Sequence, residues 1–278
     1  MDENNFIKQW NLIIEEHLDS LSNYLLFSKK ICNEFIASKK CETEEKYNIF
    51  LLVSDLYRRE NFHSDIIRFL LDPKENHGEG NLFLSEFIAM LNRKGCDISA
   101  INYEDADVVR EKGRIDVLVY SDSSKRAIVI ENKINNAGDM QRQLPRYYDY
   151  VSTKYHIDAI VYIPLDINKR PDESDWDDND KKHVEPLLQI IPAYSDGSTI
   201  NIVSDWLEPL IMRSDNIDLV STLRQYSQLI KMLNRNIMDT IILEKFYNEL
   251  IEEENLKSAI SIRNMLNELP AYMAQRVF

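Results

Sequence analysis

The sequence predicts an α/β protein in which a strand-containing core lies between helical segments. The chain has 278 residues but only six glycines and eight prolines, so few positions break a helix. Apolar residues recur at three- and four-residue spacing towards both ends, which is typical of amphipathic helices. Runs rich in β-branched residues occur only in the middle of the chain, where they predict strands.

Residues 1–58 form a predicted N-terminal helical segment. An apolar stripe runs from Phe6 through Trp10 and Ile14 to Leu25 at helical spacing. A second stretch, Tyr47–Tyr57, has a similar pattern. We therefore expect helices on the amino-terminal side of the core.

The predicted core spans residues 59–192 and opens with two helices. Asn61 is placed to cap the first helix, which Pro73 should end, because the residue before a proline is pushed out of the helical region. A turn at His77–Asn81 precedes the second helix, from about Leu82 to Leu91.

Strands with one intervening helix follow. The strand candidates are Asp107–Glu111, Ile115–Tyr120, Arg126–Lys133, Asp158–Ile163 and Leu187–Ile191. The helix is predicted over Asp139–Lys154, between the third and fourth strands. The continuous apolar run 127–130 is typical of a central strand that is covered on both faces. Residues 193–278 are a predicted C-terminal helical segment packed on the core.

The net charge of −14 argues against a protein that binds nucleic acid over its whole surface. The charge is unevenly distributed, however. Residues 108–154 contain nine basic and six acidic side chains, a net +3, which leaves −17 for the remainder. This segment is either a local phosphate-binding face or a chance unevenness of surface charge.

Several function classes lack their signatures. The sequence has no phosphate-binding glycine loop, no His-Glu-x-x-His and no Cys-x-x-Cys pair. No apolar run approaches 18 residues, so we expect no membrane-spanning helix and no membrane partner. The three cysteines are few and widely spaced, which favours reduced thiols and a cytoplasmic protein.

Charged residues inside apolar strands are the strongest sign of a functional site. Asp116 interrupts one strand, and Glu131 and Lys133 end the next, two residues apart and hence on one face. Burying unpaired charges costs several kcal/mol. A divalent cation shared by Asp116 and Glu131 would offset this cost, and carboxylate oxygens suit Mg²⁺. The alternative is a plain ion pair between Glu131 and Lys133.

These residues resemble the motif of the PD-(D/E)XK nuclease superfamily over roughly residues 50–165, with a looser similarity at 223–233. The matching segments are Gly113–Asp116, Glu131–Lys133 and Gln141–Tyr148. An upstream block is similar to one bacterial branch of that superfamily; it comprises Glu60–Ser64, Leu70–Pro73 and His77–Gly80. One departure is Ile115, which stands where the family has a proline before its first acid.

The resemblance implies a restriction-endonuclease-like core, αβββαβ with a mixed central sheet, and N- and C-terminal helical additions. It also implies Mg²⁺-dependent hydrolysis of DNA phosphodiester bonds, with Mn²⁺ as a substitute, in restriction or phage defence. The implied metal ligands are Asp116, Glu131 and the backbone carbonyl of Asn132. The other implied catalytic residues are Lys133, Glu60 and Gln143. The alternative is a catalytically inactive member that binds nucleic acid or protein.

Other features are expected to be structural or to contact partners. His63 and His77 are candidate bases or ligands, but packing and turn roles are favoured for them. The acidic run 172–180 is expected to be a solvated loop, with a lid or a nucleic-acid mimic as the alternative. DNA is expected to bind over the face formed by residues 108–154. The acidic helical flanks would serve a second copy or another protein partner.

Overall fold

The structure is a computed structural model that describes residues 25–33, 47–135, 138–251 and 253–277. Most of the apolar stripe predicted for the amino-terminal segment, including Phe6, Trp10 and Ile14, lies outside the described residues. Tyr47–Asn234 forms one compact unit, and the described residues on either side of it belong to a second. Residues 25–33 are helical, as expected.

The elements follow the predicted order of helices, strands and helices. The helices described are α1 (25–33), α2 (Ile49–Val53), α3 (Glu60–Leu71), α4 (Leu82–Arg93), α5 (Gln143–Ser152), α6 (Asp178–Val184), α7 (Glu208–Arg213), α8 (Ile217–Leu250) and α9 (Glu253–Val277). The strands are β1 (Asp107–Val109), β2 (Val117–Ser121), β3 (Arg126–Lys133), β4 (His156–Pro164) and β5 (Leu188–Ile190).

The five strands form one mixed sheet in the order β1-β2-β3-β4-β5. The pairs β1–β2 and β2–β3 are antiparallel, and β3–β4 and β4–β5 are parallel. From α3 onward, with α4 inserted, the chain gives the expected αβββαβ arrangement, to which β5 is added. The predicted α/β class with a mixed central sheet is confirmed.

Strand β3 is the centre of the sheet and has the bounds that its sequence predicts. Seven of its eight residues are buried, in agreement with the apolar run Ala127–Ile130. Alternate residues of a strand point to opposite faces. Val129 belongs to the cluster that packs against Leu144 and Val151 of α5, while α3 packs on the other face of the strands. The last residues of β3 are therefore directed alternately towards α5 and α3.

The ends of two helices differ from the prediction. Asn61 does not cap α3, which begins at Glu60 with Arg59 in the capping position and no side-chain cap. The preceding 3-10 turn sets this start, because the Arg59 N–H bonds to the carbonyl of Leu56. Helix α5 begins at Gln143 and not at Asp139, because Arg142 adopts a left-handed conformation with φ 45°.

The acidic run 172–180 is only partly a loop. Asp177 caps α6 and forms a capping box with Asp180, whose carboxylate also accepts a 2.7 Å bond from Nε of Arg142. Asp180 is buried, so the prediction of a solvated loop is wrong for this residue. Local capping and an arginine partner stabilise its charge in place of water.

The carboxyl-terminal side of the larger unit packs on α4. The indole N–H of Trp206 donates to the carbonyl of Phe83 at 3.0 Å, and both residues are fully buried. Of the helices that the structure describes, none has the length and apolar character that a membrane crossing needs. Cys32 and Cys96 are free thiols.

His63 joins α3 to α8 inside the core. Its Nε2 lies 2.8 Å from the carbonyl of Tyr57, so Nε2 carries the proton, and Nδ1 accepts from the hydroxyl of Tyr226 at 3.1 Å. Burial lowers the pKa of His63 from 6.5 to about 4. The imidazole is therefore a neutral packing element, as the sequence favours.

We expect His63 to make the fold sensitive to acid. Between pH 6.5 and 4 the unfolded chain binds a proton that the folded chain excludes, so stability from this group is complete above pH 6.5 and is lost as the pH falls. The free energy of unfolding falls by about 3 kcal/mol over this range. Urea unfolding of the wild type and His63→Gln across this range measures it. The difference in unfolding free energy between the two should shrink by this amount; a difference independent of pH would contradict the assignment.

Candidate functional site

Glu131 and Lys133 lie together at the carboxyl end of β3, on the face towards α5. Their side chains are 1% and 2% exposed, and Lys133 Nζ lies 2.7 Å from Glu131 Oε1. The two-residue spacing places both on one face, as the sequence predicts. An ion pair of this kind is rare in a protein interior unless other groups surround it.

The pair is electrostatically unusual. Burial, reinforced by the charge of Asp116, raises the pKa of Glu131 to about 8, although Lys133 opposes the shift. Burial acts to lower the pKa of Lys133, but the carboxylates of Glu131, Glu60 and Asp139 together outweigh burial and the pKa is raised. The lysine therefore keeps its proton, while the glutamate needs further positive charge to be ionised fully near neutral pH.

Asp116 reaches the same place from the neighbouring strand. It directly precedes β2, and since Val117 pairs with Ile130 in the antiparallel register, Asp116 lies opposite Glu131. Its Oδ2 accepts a 2.8 Å bond from the backbone N–H of Asn132. Burial raises the pKa of Asp116. Two carboxylates from adjacent strands are thus held beside one lysine.

The segment before Asp116 has an uncommon backbone. Glu111, Gly113 and Arg114 have φ values of 58°, 68° and 65°. A Cβ at Gly113 would lie 2.6 Å from the ring of Tyr150, so glycine is needed there both for conformation and for space. Two non-glycine residues in the left-handed region cost free energy that the surrounding contacts must offset. Such strain is common beside functional residues.

Glu60 is brought into the site by the start of α3. Its Oε1 lies 3.4 Å from Lys133 Nζ, and burial raises its pKa. The amide of Asn132 points to the opposite face from Glu131 and donates to the carbonyl of Glu60 and to Ser64 Oγ, both at 3.0 Å. The Asn132 side chain therefore fixes α3 to β3.

Gln143 and Tyr147 contact the site from α5. Gln143 Nε2 donates to Glu131 Oε1 at 2.7 Å and to the hydroxyl of Tyr147 at 2.9 Å. The Tyr147 hydroxyl in turn donates to the carbonyl of Arg114 at 2.7 Å. A hydrogen-bonded chain thus links Glu131 to the segment that leads into Asp116.

The loops after β3 and β4 contribute residues that the sequence did not identify. Asp139 Oδ1 lies 3.7 Å from Lys133 Nζ and accepts a 3.1 Å bond from the hydroxyl of Tyr162. Asp139 Oδ2 accepts from the N–H of Asp172 at 2.9 Å. Lys169, half-buried, is close enough for the charges of Asp139 and Lys133 to act on its pKa, which burial lowers. The only signal in the sequence was the spacing of Asp139 from Gln143 and Tyr147.

The carboxylates at this site fit a hard divalent cation in an open coordination site. Among the described residues, Glu131 Oε2 and Glu60 Oε1 are buried without a hydrogen-bond partner. Within the described part of the chain, no group of three or more His, Cys, Asp or Glu is arranged so that it could hold a metal ion. Mg²⁺ uses one or two carboxylates and takes its other ligands from water and substrate, so Asp116 and Glu131 suit it.

His77 lies apart from this cluster. Its ring stacks on Phe83, with centroids 4.9 Å apart, and its Nε2 bonds to the carbonyl of Asp72 at 2.9 Å. His77 Nδ1 accepts from the N–H of Glu79 at 3.1 Å. Like His63, it holds a turn and the core together.

The basic residues of segment 108–154 do not form one face. Arg126 begins β3 and Lys133 ends it, so they are about 23 Å apart at roughly 3.3 Å per residue. Four of them are paired with acidic residues of the same chain: Arg110 with Asp65, Lys125 with Asp122, Arg126 with Asp158 and Arg142 with Asp180. The extended strand therefore divides the predicted basic face into two regions.

Comparison with known proteins supports the resemblance. A family model of the PD-(D/E)XK nuclease superfamily matches residues 47–232, about two thirds of the chain. Comparisons with curated proteins and with solved structures give no match. The matched region contains the whole sheet and every residue of the Glu131–Lys133 site described above. On this match the chain belongs to the PD-(D/E)XK nuclease superfamily.

Proposed function

We propose that this chain is a Mg²⁺-dependent nuclease that hydrolyses DNA phosphodiester bonds. Membership of the superfamily supports nuclease activity in general. The observation that carries the proposal is the buried Glu131–Lys133 pair with Asp116 opposite it, in which Glu131 Oε2 has no donor among the residues that the structure describes. A role in restriction or phage defence is part of the same proposal and rests on the resemblance alone.

Asp116 and Glu131 would hold the cation, together with the carbonyl of Asn132. When bound, Mg²⁺ supplies positive charge that polarises the phosphoryl oxygen and acidifies a water ligand. The backbone N–H of Asn132 already orients Asp116, and Gln143 orients Glu131. These bonds keep both carboxylates in place before metal or substrate arrives.

Lys133 would stabilise negative charge on the phosphate during attack by water. Its pKa is raised, so it is an ammonium ion at neutral pH and serves as a positive charge, not as a base. Glu60 and Asp139 flank its Nζ at 3.4 and 3.7 Å and limit its position. Burial around the pair strengthens its interaction with an anion.

We expect cleavage to depend on the three central residues. Asp116→Asn, Glu131→Gln and Lys133→Met should each reduce Mg²⁺-dependent nicking of supercoiled plasmid by at least about 100-fold, because each removes a group that acts on the transition state. The assay is run on duplex DNA, single-stranded DNA and RNA. Circular dichroism checks that each variant is folded.

The matched control is Asp97→Asn, which makes the same change at an exposed carboxylate in the loop after α4. It should cleave like the wild type. If the wild type cuts no substrate faster than all three variants, the proposed nuclease is wrong, and a binding role for the fold is favoured instead.

We expect metal to stabilise the wild type but not Asp116→Asn. Without metal, Asp116→Asn should raise the unfolding free energy by about 1 kcal/mol at pH 7.5, because it removes a buried charge beside Glu131. Mn²⁺ at 100 times its Kd should stabilise the wild type by about 2.7 kcal/mol. Thermal melts in EDTA and in Mn²⁺ measure both effects; equal stabilisation of both proteins would contradict the ligand assignment.

We expect Asp139 to act as a positioning residue for Lys133. Asp139→Asn and Tyr162→Phe should lower kcat by about tenfold and leave KM and Mn²⁺ affinity within about twofold. The reason is that Asp139 contacts Lys133 and Tyr162 contacts Asp139, whereas neither is a proposed metal ligand. Single-turnover kinetics and calorimetric Mn²⁺ titration separate the effects. A purely structural role would lower stability with kcat intact, and weakened Mn²⁺ binding would make Asp139 a ligand instead.

A further inference from the structure

A groove of about 740 Å³ lies at the end of the sheet opposite Glu131 and Lys133. The turn that leads into β3 forms one wall, and the end of α5 with the turn before β4 forms another. Residues of α6 close the third side. The length of β3 separates this groove from the proposed active site by about 23 Å, at roughly 3.3 Å per residue.

The groove is lined by positive and titratable side chains in a chain whose net charge is −14. Its basic and histidine residues are Lys125, Arg126, Lys154, His156, Lys182 and His183. Of the residues that the structure describes, no Asp or Glu lines it. Three of the six come from segment 108–154 and three from outside it, so the sequence alone did not bring them together.

Two of these charges are already balanced within the fold. Arg126 Nε donates to both carboxylate oxygens of Asp158, at 2.8 and 2.9 Å, and Lys125 Nζ lies 3.1 Å from Asp122. His156 Nε2 lies 3.7 Å from an oxygen of Asp158. These contacts hold Arg126 and Lys125 in place in the lining of the groove, and the partner carboxylates balance their charges.

Lys154 and Lys182 supply the uncompensated charge. Both are exposed, and no carboxylate of the described part of the chain lies within ion-pair distance of either. They stand on separate elements, the turn after α5 and helix α6, and both line the groove. Two lysine charges on the lining of one concave surface attract an anion with more than one negative group.

Aromatic rings add a second kind of contact. Tyr148 and His183 stack with centroids 5.1 Å apart and an interplanar angle of 22°, and both line the groove. Tyr155 lies on the same surface. All three rings are half-buried. Positive side chains beside aromatic rings are the combination that binds phosphate together with a planar base.

We propose that this groove binds phosphate groups of a nucleic acid strand or of a free nucleotide, with the Tyr148–His183 stack beside the base. For a nucleic acid, the proposal rests on the proposed nuclease function and makes the groove a second contact on the substrate. At 3.4 Å per step, a separation of about 23 Å corresponds to about seven base pairs. Only a longer duplex would reach both the groove and the active site.

The test is a charge reversal at the two exposed lysines. Lys154→Glu with Lys182→Glu is compared with Lys94→Glu with Lys245→Glu, which makes the same change in net charge at exposed lysines elsewhere. Binding is measured by fluorescence anisotropy in EDTA, so that no cleavage occurs. The ligands are a hairpin of six base pairs, a duplex of 20 base pairs and labelled ATP, each over a series of salt concentrations.

The groove variant should lose at least about tenfold in affinity for the 20-base-pair duplex. The slope of its log affinity against log salt concentration should be smaller in magnitude by about two. The six-base-pair hairpin should be little affected. A loss seen only with ATP would assign the groove to free nucleotides. The proposal is overturned if the groove variant binds every ligand like the wild type, or if the control variant weakens binding equally.

Failure of the nuclease proposal is measured separately by plasmid nicking with Mg²⁺. If the wild type nicks DNA while both double variants bind DNA equally well, the groove proposal is refuted and the nuclease proposal stands. If the wild type does not nick DNA but binds it through Lys154 and Lys182, the nuclease proposal is refuted and the groove proposal stands. Thermal melts check that both variants are folded.

Discussion

The ion pair of Glu131 with Lys133 is the constraint on which the site depends. Two nearly inaccessible charges at the end of a central strand are costly unless other groups compensate them. Gln143 donates to the carboxylate, and Glu60 and Asp139 flank the ammonium. Asp116, directly before β2, makes the cluster more negative. A divalent cation is the partner that would complete this balance, and this is the basis of the proposed metal site.

The alternation of β3 explains how one strand serves both faces of the sheet. Glu131 and Lys133 face α5, while Asn132 between them faces α3 and holds it through two hydrogen bonds from its amide. Its backbone N–H also fixes Asp116. A shift of register by one residue would exchange these roles, so the buried apolar residues before Glu131 set the chemistry as well as the packing.

The sequence predicted what periodicity and strand alternation determine. The bounds of β3 and the shared face of Glu131 and Lys133 follow from the local pattern. The contacts of Asp139 with Tyr162 and Asp172 join positions distant along the chain, so no pattern marks them. Asn61 is not the cap that its residue type predicts, because the preceding turn starts α3 one residue earlier, at Glu60. The basic residues of segment 108–154 lie at both ends of β3, because the strand is extended, and Lys182 of α6 joins those at the start of the strand.

The most direct test of the central claim is anomalous diffraction from a crystal grown with Mn²⁺. The account predicts an anomalous peak in contact with the carboxylates of both Asp116 and Glu131, and its absence in Asp116→Asn. A crystal of the wild type with Mn²⁺ elsewhere, and with Glu131 still bonded only to Lys133 and Gln143, would contradict it.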